Sequence, residues 1–348
     1  MGRLKGGRNK IKLERPVLEN LEKKSRGRPK KIESIDPMMA QSDANLPLET
    51  KKELPVKLDV NEKLERAKKV LGEVNRKLGT SAIVMANTIE EVKRLPFRTK
   101  SLNEQTGGGI PYGRTTCFWG SKGCSKTTVA LELIAMAQKE NKVCLYADIE
   151  RSYSPDWAEK QGVDTSKLLH GKFYNAEQPL DAIIKMAKEK AVDVIVVDSI
   201  QGLCPKGEMF DNTEIKSTDK ETMALLPRKL SQFFRMAIPF IADGNIALIL
   251  IGQSRMDLSA FIKIEKLSGG HALSHNCRLI MRLRRGTGDE APTTEIETDE
   301  LDKKGKPKTK EVKIGFDLVA RVEKSQIKDC VEGTEVHMPF IFKQGIVE

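Results

Sequence analysis

Apolar residues follow two distinct rhythms in this chain and none in its first part. From Asn61 to Gly79 they fall at Leu64, Ala67, Leu71, Val74 and Leu78. That three-and-four spacing puts one stripe on a helix, with Asn61 available as N-cap and Gly79 as terminator. A lone amphipathic helix must bury its stripe, either on its own core or on a neighbouring subunit. Beyond residue 114 short continuous apolar runs alternate with helical patterns. They predict strands over 115–119, 143–147, 192–197, 246–251 and 279–283, and helices over 126–140, 155–161, 178–190 and 222–242. Strands that are apolar throughout and alternate with helices predict an α/β fold, a mostly parallel central sheet flanked by helices on both faces. Ligands of such sheets bind at the carboxyl ends of the strands. Pro227 and Pro239 lie within the predicted 222–242 helix, which should start late, kink or break. The Gly107–Gly113 segment reads as a loop, and 286–312 as an exposed hairpin or loop.

Residues 1–58 show no rhythm. They are rich in Lys, Arg, Glu and Pro with few aromatics, a composition that cannot offset its ordering entropy, and are predicted to be largely disordered. Residues 1–31 hold twelve Lys/Arg and three Glu, nine of the chain's eleven net positive charges. Within them Ser25-Arg-Gly-Arg-Pro-Lys-Lys31 is like an AT-hook core, which lays Arg26 and Arg28 into a narrow A·T-rich minor groove. The competing reading is a solvated basic arm that touches phosphates without sequence preference. The expected organisation is therefore a basic tail (1–58), an oligomerisation helix with its linker (59–95) and a large core (96–348).

The apolar fraction of 39% over 348 residues suits a globular core. No apolar run approaches a membrane span, the basic N-terminus lacks the apolar region of a secretory signal, and Gly6 stands where myristoylation needs Ser or Thr. The expected location is the cytoplasm of a prokaryotic or phage-infected cell. Six cysteines lie far apart with no C-x-x-C, and read as reduced, mostly buried small side chains.

The chemistry begins at Gly120-Ser121-Lys122-Gly123-Cys124-Ser125-Lys126-Thr127-Thr128, between a predicted strand and a predicted helix. It meets the phosphate-loop pattern G-x-x-x-x-G-K-[ST] except at Ser125, where glycine is expected. Amide N–H groups at the helix start would cradle a polyphosphate, Lys126 would add charge, and the Thr127 hydroxyl would hold Mg²⁺. Three polar groups follow strands where such a nucleotide would sit. Asp198 suits Mg²⁺ binding through water, or is a turn former. Glu150 is placed to orient or deprotonate an attacking water. Gln253 could sense the γ-phosphate, or is a plain strand cap.

Taken in order, the loop, Ala-Asp-Ile-Glu150, Val-Asp-Val-Ile-Val-Val-Asp-Ser199, Ile-Gly-Gln-Ser-Arg-Met256 and Ser-Gly-Gly-His-Ala-Leu273 resemble the RecA family of strand-exchange recombinases. The likeness runs from about Asn61 to the end and includes Gly162-Val-Asp164, Leu203-Cys-Pro-Lys206 and Lys324-Ser-Gln-Ile327. It implies a RecA-like P-loop ATPase core using ATP and Mg²⁺, which forms helical filaments on single-stranded DNA and pairs it with homologous duplex DNA. It implies that Glu150 is the catalytic glutamate, Trp157 stacks on adenine, and Gln253 couples the γ-phosphate to DNA binding. Met223 and Arg228 would belong to a first DNA-binding loop, Arg255, Gly269 and Gly270 to a second, and Lys324 would reach the neighbouring subunit's ATP. The 61–79 helix would dock on the adjacent protomer.

This chain departs from the family at Ser125, at Gln326 in place of a second basic residue, at Gly252 in place of Asn, and at Ser154 in place of an acidic residue. Its first DNA loop, 206–222, is longer than usual, and the basic tail is expected to stand in for the family's C-terminal DNA-gathering domain. Two other readings remain at this point: a ring-forming, helicase-like ATPase of the same fold, and a non-catalytic architectural DNA-binding protein.

Overall fold

The computed structural model describes residues 59–211, 214–216, 225–257, 264–268, 270–286, 291–301 and 307–347. The tail with Arg26 and Arg28, and residues Met223 and Gly269, lie outside the described residues. The chain divides into two units, Met1–Ile83 and Val84–Glu348.

In the first unit helix α1 spans Val60–Leu78, starting two residues earlier than an Asn61 cap would give, because Asp59 caps it instead. The Asp59 carboxylate accepts from the Asn61 N–H at 3.3 Å. Gly79 ends the helix in the left-handed conformation at φ 66°, open to a residue without a Cβ. None of the helix is buried, and Leu64 and Leu78 are 41% and 58% exposed.

The second unit opens with β1 (Arg94–Leu95), α2 (Lys100–Thr106) and β2 (Ile110–Pro111), so the glycine-rich segment contains a short strand paired with β1. There follow β3 (Thr115–Gly120), α3 (Lys126–Lys139), β4 (Cys144–Asp148), α4 (Pro155–Lys160), β5 (Leu168–Lys172), α5 (Glu177–Lys188) and β6 (Val194–Asp198). Next are α6 (Lys206–Met209), the small pair β7 (Phe210–Asp211) and β8 (Glu214–Ile215), α7 (Leu225–Asp243), β9 (Ala247–Asp257), β10 (Ile264–Leu267), α8 (His271–Asn276) and β11 (Leu279–Arg285). The chain closes with β12 (Thr293–Leu301), β13 (Pro307–Lys313), β14 (Gly315–Ser325), β15 (Glu335–Ile341) and β16 (Gly345–Ile346).

Ten strands form one sheet in the order β16-β15-β14-β11-β3-β9-β6-β4-β5, with β10 paired to β9. The run from β11 to β5 is parallel, and β14, β15 and β16 extend it antiparallel. Alternate residues of each central strand enter two cores. Phe118, Tyr146, Val196 and Ile249 pack with α3, while Trp119, Leu145, Val197 and Leu250 pack with α5 and α7. Burial of both faces is why these strands are apolar throughout.

Within the described residues helix α7 spans Leu225–Asp243 and runs through Pro239 without ending there; the predicted start at 222 lies outside the described residues. The strand predicted to stop at 251 continues to Asp257 and turns into the antiparallel partner β10. Gly252 leaves room for side chains packed there: a Cβ on it would sit 2.6 Å from the end of the Leu267 side chain of β10 and 3.2 Å from Trp119 Cβ. A larger residue would force the Leu267 side chain to shift and crowd Trp119. The 286–312 segment forms the β12–β13 hairpin, as expected. All six cysteines are free, and Cys117, Cys124, Cys144 and Cys277 are buried.

Candidate functional site

The parallel strands deliver their polar residues to one end of the sheet. Gly120 ends β3, Asp148 ends β4, Asp198 ends β6, and Gln253 pairs with Gly120 across β3 and β9. Only glycine fits at 120, because a Cβ there would lie 1.9 Å from the Leu283 carbonyl oxygen of β11. Ser125, at the foot of α3, takes the left-handed conformation, φ 61° and ψ 24°, and makes no side-chain cap. The geometry that glycine normally supplies is thus kept at a serine.

A cavity of about 290 Å³ opens over this end, with Lys122, Gly123, Ser125, Lys126, Thr127, Glu150, Asp198 and Gln253 on its walls. The buried Lys126 ammonium donates to the carbonyls of Gly120 and Ser121 at 3.0 and 2.7 Å. Cys124 is fully buried beneath it, and burial pushes its thiol up, which keeps it protonated and poorly nucleophilic. Thr127 Oγ1 donates to Asp198 Oδ2 at 2.6 Å, and Tyr146 OH donates to the same oxygen at 2.8 Å. Burial also raises Asp198, opposed by these two bonds.

Two adjacent hard oxygens fit Mg²⁺, which relies on water and phosphate for most of its ligands. No cluster of three or more His, Cys, Asp or Glu side chains suits a metal among the described residues.

Asp148 shapes the turn that carries Glu150, accepting from the Ser152 and Tyr153 N–H groups at 3.0 and 3.3 Å. Glu150 Oε1 in turn accepts from Gln253 Nε2 at 2.5 Å and from the Ser199 hydroxyl. A residue that the sequence reading did not single out, Gln201, continues this chain. Its Oε1 accepts from the Gln253 N–H at 2.8 Å and its Nε2 donates to the Ser268 carbonyl at 2.8 Å. Gln201 therefore ties together both legs of the β9–β10 hairpin at its base.

Trp157 lies beside the loop without lining the cavity. Its Nε1 donates to Thr128 Oγ1 at 3.3 Å, and Ser154, the departure from the family's acidic residue, caps its helix. On its aromatic side the cavity meets Phe316, Phe340 and Phe342, which the sequence reading also missed; Phe316 and Phe340 stack at 4.7 Å. Arg228 and Arg255 are exposed, at the start of α7 and on the β9 leg of the hairpin, and Gly270 precedes α8 at φ 74°. Lys324 pairs with Ile280 at the amino end of β11, away from this chain's own cavity. Its ammonium donates to the Ser274 and Cys277 carbonyls.

A helix-flanked parallel sheet, with a glycine-bounded loop between β3 and α3 and carboxylates at neighbouring strand ends, defines a phosphate-loop α/β protein. The profile of the RecA N-terminal domain matches residues 65–334. The chain belongs to the RecA family, and its role is of the RecA type, in recombination and repair. It is similar to Protein RecA of Mannheimia haemolytica, 31% identical over 305 residues that cover 85% of this chain and 81% of that one. It is 30% identical over 269 residues to a mitochondrial DNA repair protein recA homolog of Dictyostelium discoideum, covering 74% of this chain and 58% of the relative. Protein RecA of Colwellia psychrerythraea is 34% identical over 219 residues, 62% of each chain. No described helix is long and apolar enough to cross a membrane.

Proposed function

We propose that the protein is a DNA-dependent ATPase that polymerises as helical filaments on single-stranded DNA and catalyses its pairing and strand exchange with homologous duplex DNA. The observation that carries this reading is the hydrogen-bonded path Glu150–Gln253–Gln201–Ser268. It runs from the phosphate-loop cavity to the hairpin that bears Arg255. A nucleotide site joined in this way to an exposed basic hairpin can make DNA affinity depend on the nucleotide, and the reverse follows by linkage.

In this reading the loop amides and Lys126 hold the phosphates of ATP, and Thr127 and Asp198 hold Mg²⁺, which supplies charge neutralisation on the phosphates when bound. Glu150, fixed by Gln253 and Ser199, orients the attacking water and takes its proton. Phe342, 46% exposed, and Trp157 offer aromatic surface to the base. Arg228 and Arg255 contact DNA phosphates, with Met223, Gly269 and Gly270 completing the two DNA loops, and Arg26 and Arg28 gather duplex DNA. Lys324 and the exposed stripe of α1 serve contacts between protomers.

The test is a D-loop assay with the intact chain and with Glu150→Gln. Joint molecules that require ATP, form with the intact chain and fail to turn over in the variant support the reading. An intact chain that binds ATP and DNA yet forms no joint molecules sinks it.

A further inference from the structure

Strand β11 carries three arginines whose surroundings differ. Arg282 pairs with Glu265 at 2.8 Å and Arg284 with Glu335 at 2.6 Å. No carboxylate among the described residues pairs with Arg285, which instead lies at the mouth of the phosphate loop. Its Nε donates to the Gly123 carbonyl at 3.0 Å, and its guanidinium stands 4.3 Å from the centre of the Phe316 ring. Phe316 is itself buried and stacked on Phe340, so the surface beneath the guanidinium is fixed. An Nη atom lies 3.1 Å from where a Cβ on Gly123 would be, so the arginine packs closely on the loop backbone. Arg285 also lines the same cavity as Lys126 and Glu150.

A guanidinium whose plane is held by an aromatic face and whose Nε is engaged presents its Nη edge as a preorganised fork, the geometry that matches phosphate oxygens. The two neighbouring arginines show what happens on this strand when the charge serves structure: each has a carboxylate within hydrogen-bond reach. Among the described residues Arg285 has no such carboxylate, and it lines the cavity read above as the nucleotide's, beside Lys126. We propose that Arg285 binds the polyphosphate of the nucleotide held by the same protomer, beside Lys126. This deepens the ATP-site reading above and rests on it.

The test is equilibrium binding of a fluorescent ATP analogue to the full chain, with Mg²⁺ and without DNA. It compares wild type with Arg285→Ala, Arg285→Lys and Lys126→Ala. Loss of one charge-assisted contact should weaken binding roughly ten- to a hundredfold in Arg285→Ala. Arg285→Lys, which keeps the charge but loses the planar fork, its seat on Phe316 and the Nε bond to Gly123, should regain only a minor part of that loss. The thermal midpoint of the nucleotide-free variants should match wild type. If Arg285→Ala does not fold, Arg285→Gln, which keeps the stem over Phe316 without the charge, takes its place with the same expected loss. Binding by the uncharged variant within about threefold of wild type, while Lys126→Ala loses binding, overturns the assignment of Arg285 alone. Wild type and Lys126→Ala binding equally well overturns the ATP-loop reading itself.

Discussion

Ser125 sits at φ 61° and ψ 24°, and its hydroxyl makes no capping bond to α3. For a residue with a Cβ the left-handed conformation costs about 1–2 kcal/mol, because Cβ approaches the following carbonyl. Ser125→Gly removes that cost. Part of the gain is returned, because glycine frees the unfolded chain by about 0.4–1 kcal/mol. The net expectation is a stabilisation of about 0.5–1 kcal/mol, which raises Tm by about 1–4 °C for a domain of this size. Ser125→Ala isolates the cause: it keeps the Cβ and loses only an uncapping hydroxyl, so it should stay within about 0.5 kcal/mol of wild type. Ser125→Val, β-branched in the same conformation, should lower stability further. Thermal unfolding of the three nucleotide-free variants, followed by circular dichroism, measures all of this. The strain is present before nucleotide arrives, so relieving it does not favour the bound state, and ATP affinity in Ser125→Gly should stay within about threefold of wild type. A lower Tm for Ser125→Gly, or an equal rise for Ser125→Ala, would refute the claim that the cost lies in the backbone.

Three further outcomes can be measured. Glu150→Gln should lower the turnover of ATP by about 10²–10⁴-fold with nucleotide affinity little changed, as expected when a general base is lost; a loss of affinity with turnover intact would remove Glu150 from the chemistry. Gln201→Ala should leave DNA-free ATP hydrolysis near wild type while cutting its stimulation by single-stranded DNA severalfold, and undiminished stimulation would break the proposed path to the hairpin. Burial raises the Glu132 carboxyl from 4.5 to about 7, opposed by the nearby Arg98 guanidinium. Because the folded value lies above the unfolded one, Glu132 contributes stability below about pH 4.5 that is lost as pH rises through about 7, worth up to about 3 kcal/mol. Denaturant titrations of Glu132→Gln should therefore lose stability less steeply than wild type between about pH 5 and pH 8, and parallel curves would show that Arg98 compensates the buried charge in full.

What could be read from the sequence divides along a physical line. Strands β3, β4, β6, β9 and β11 were legible because each is buried on both faces and so carries an unbroken apolar run. Strand β5, Leu168–Lys172, was not, since it forms the sheet edge and is only half covered along its length. The extension of β9 past Ile251 and all of β14 to β16 escaped for a related reason: their structure depends on an antiparallel partner far along the chain, and no local period announces it. The site divides in the same way. Its loop and carboxylates fall at fixed offsets from strand ends, so Lys126, Thr127, Glu150 and Asp198 could be placed together from spacing alone. Arg285, Phe316 and Phe340 meet the loop only because β11 lies beside β3 and pairs with β14, which pairs with β15. Gln201 was hidden differently: it is one residue in a short turn, and its meaning comes from the two hairpin legs it bridges. The aromatic side of the cavity is thus built by register between strands far apart in sequence. Substitutions in β14 and β15 should therefore change nucleotide binding although no motif marks them, and Phe316→Leu, which keeps bulk but removes the ring beneath Arg285, should weaken binding of the ATP analogue severalfold with Tm little altered. Unchanged binding in that variant would mean that Arg285 keeps its place without the aromatic face.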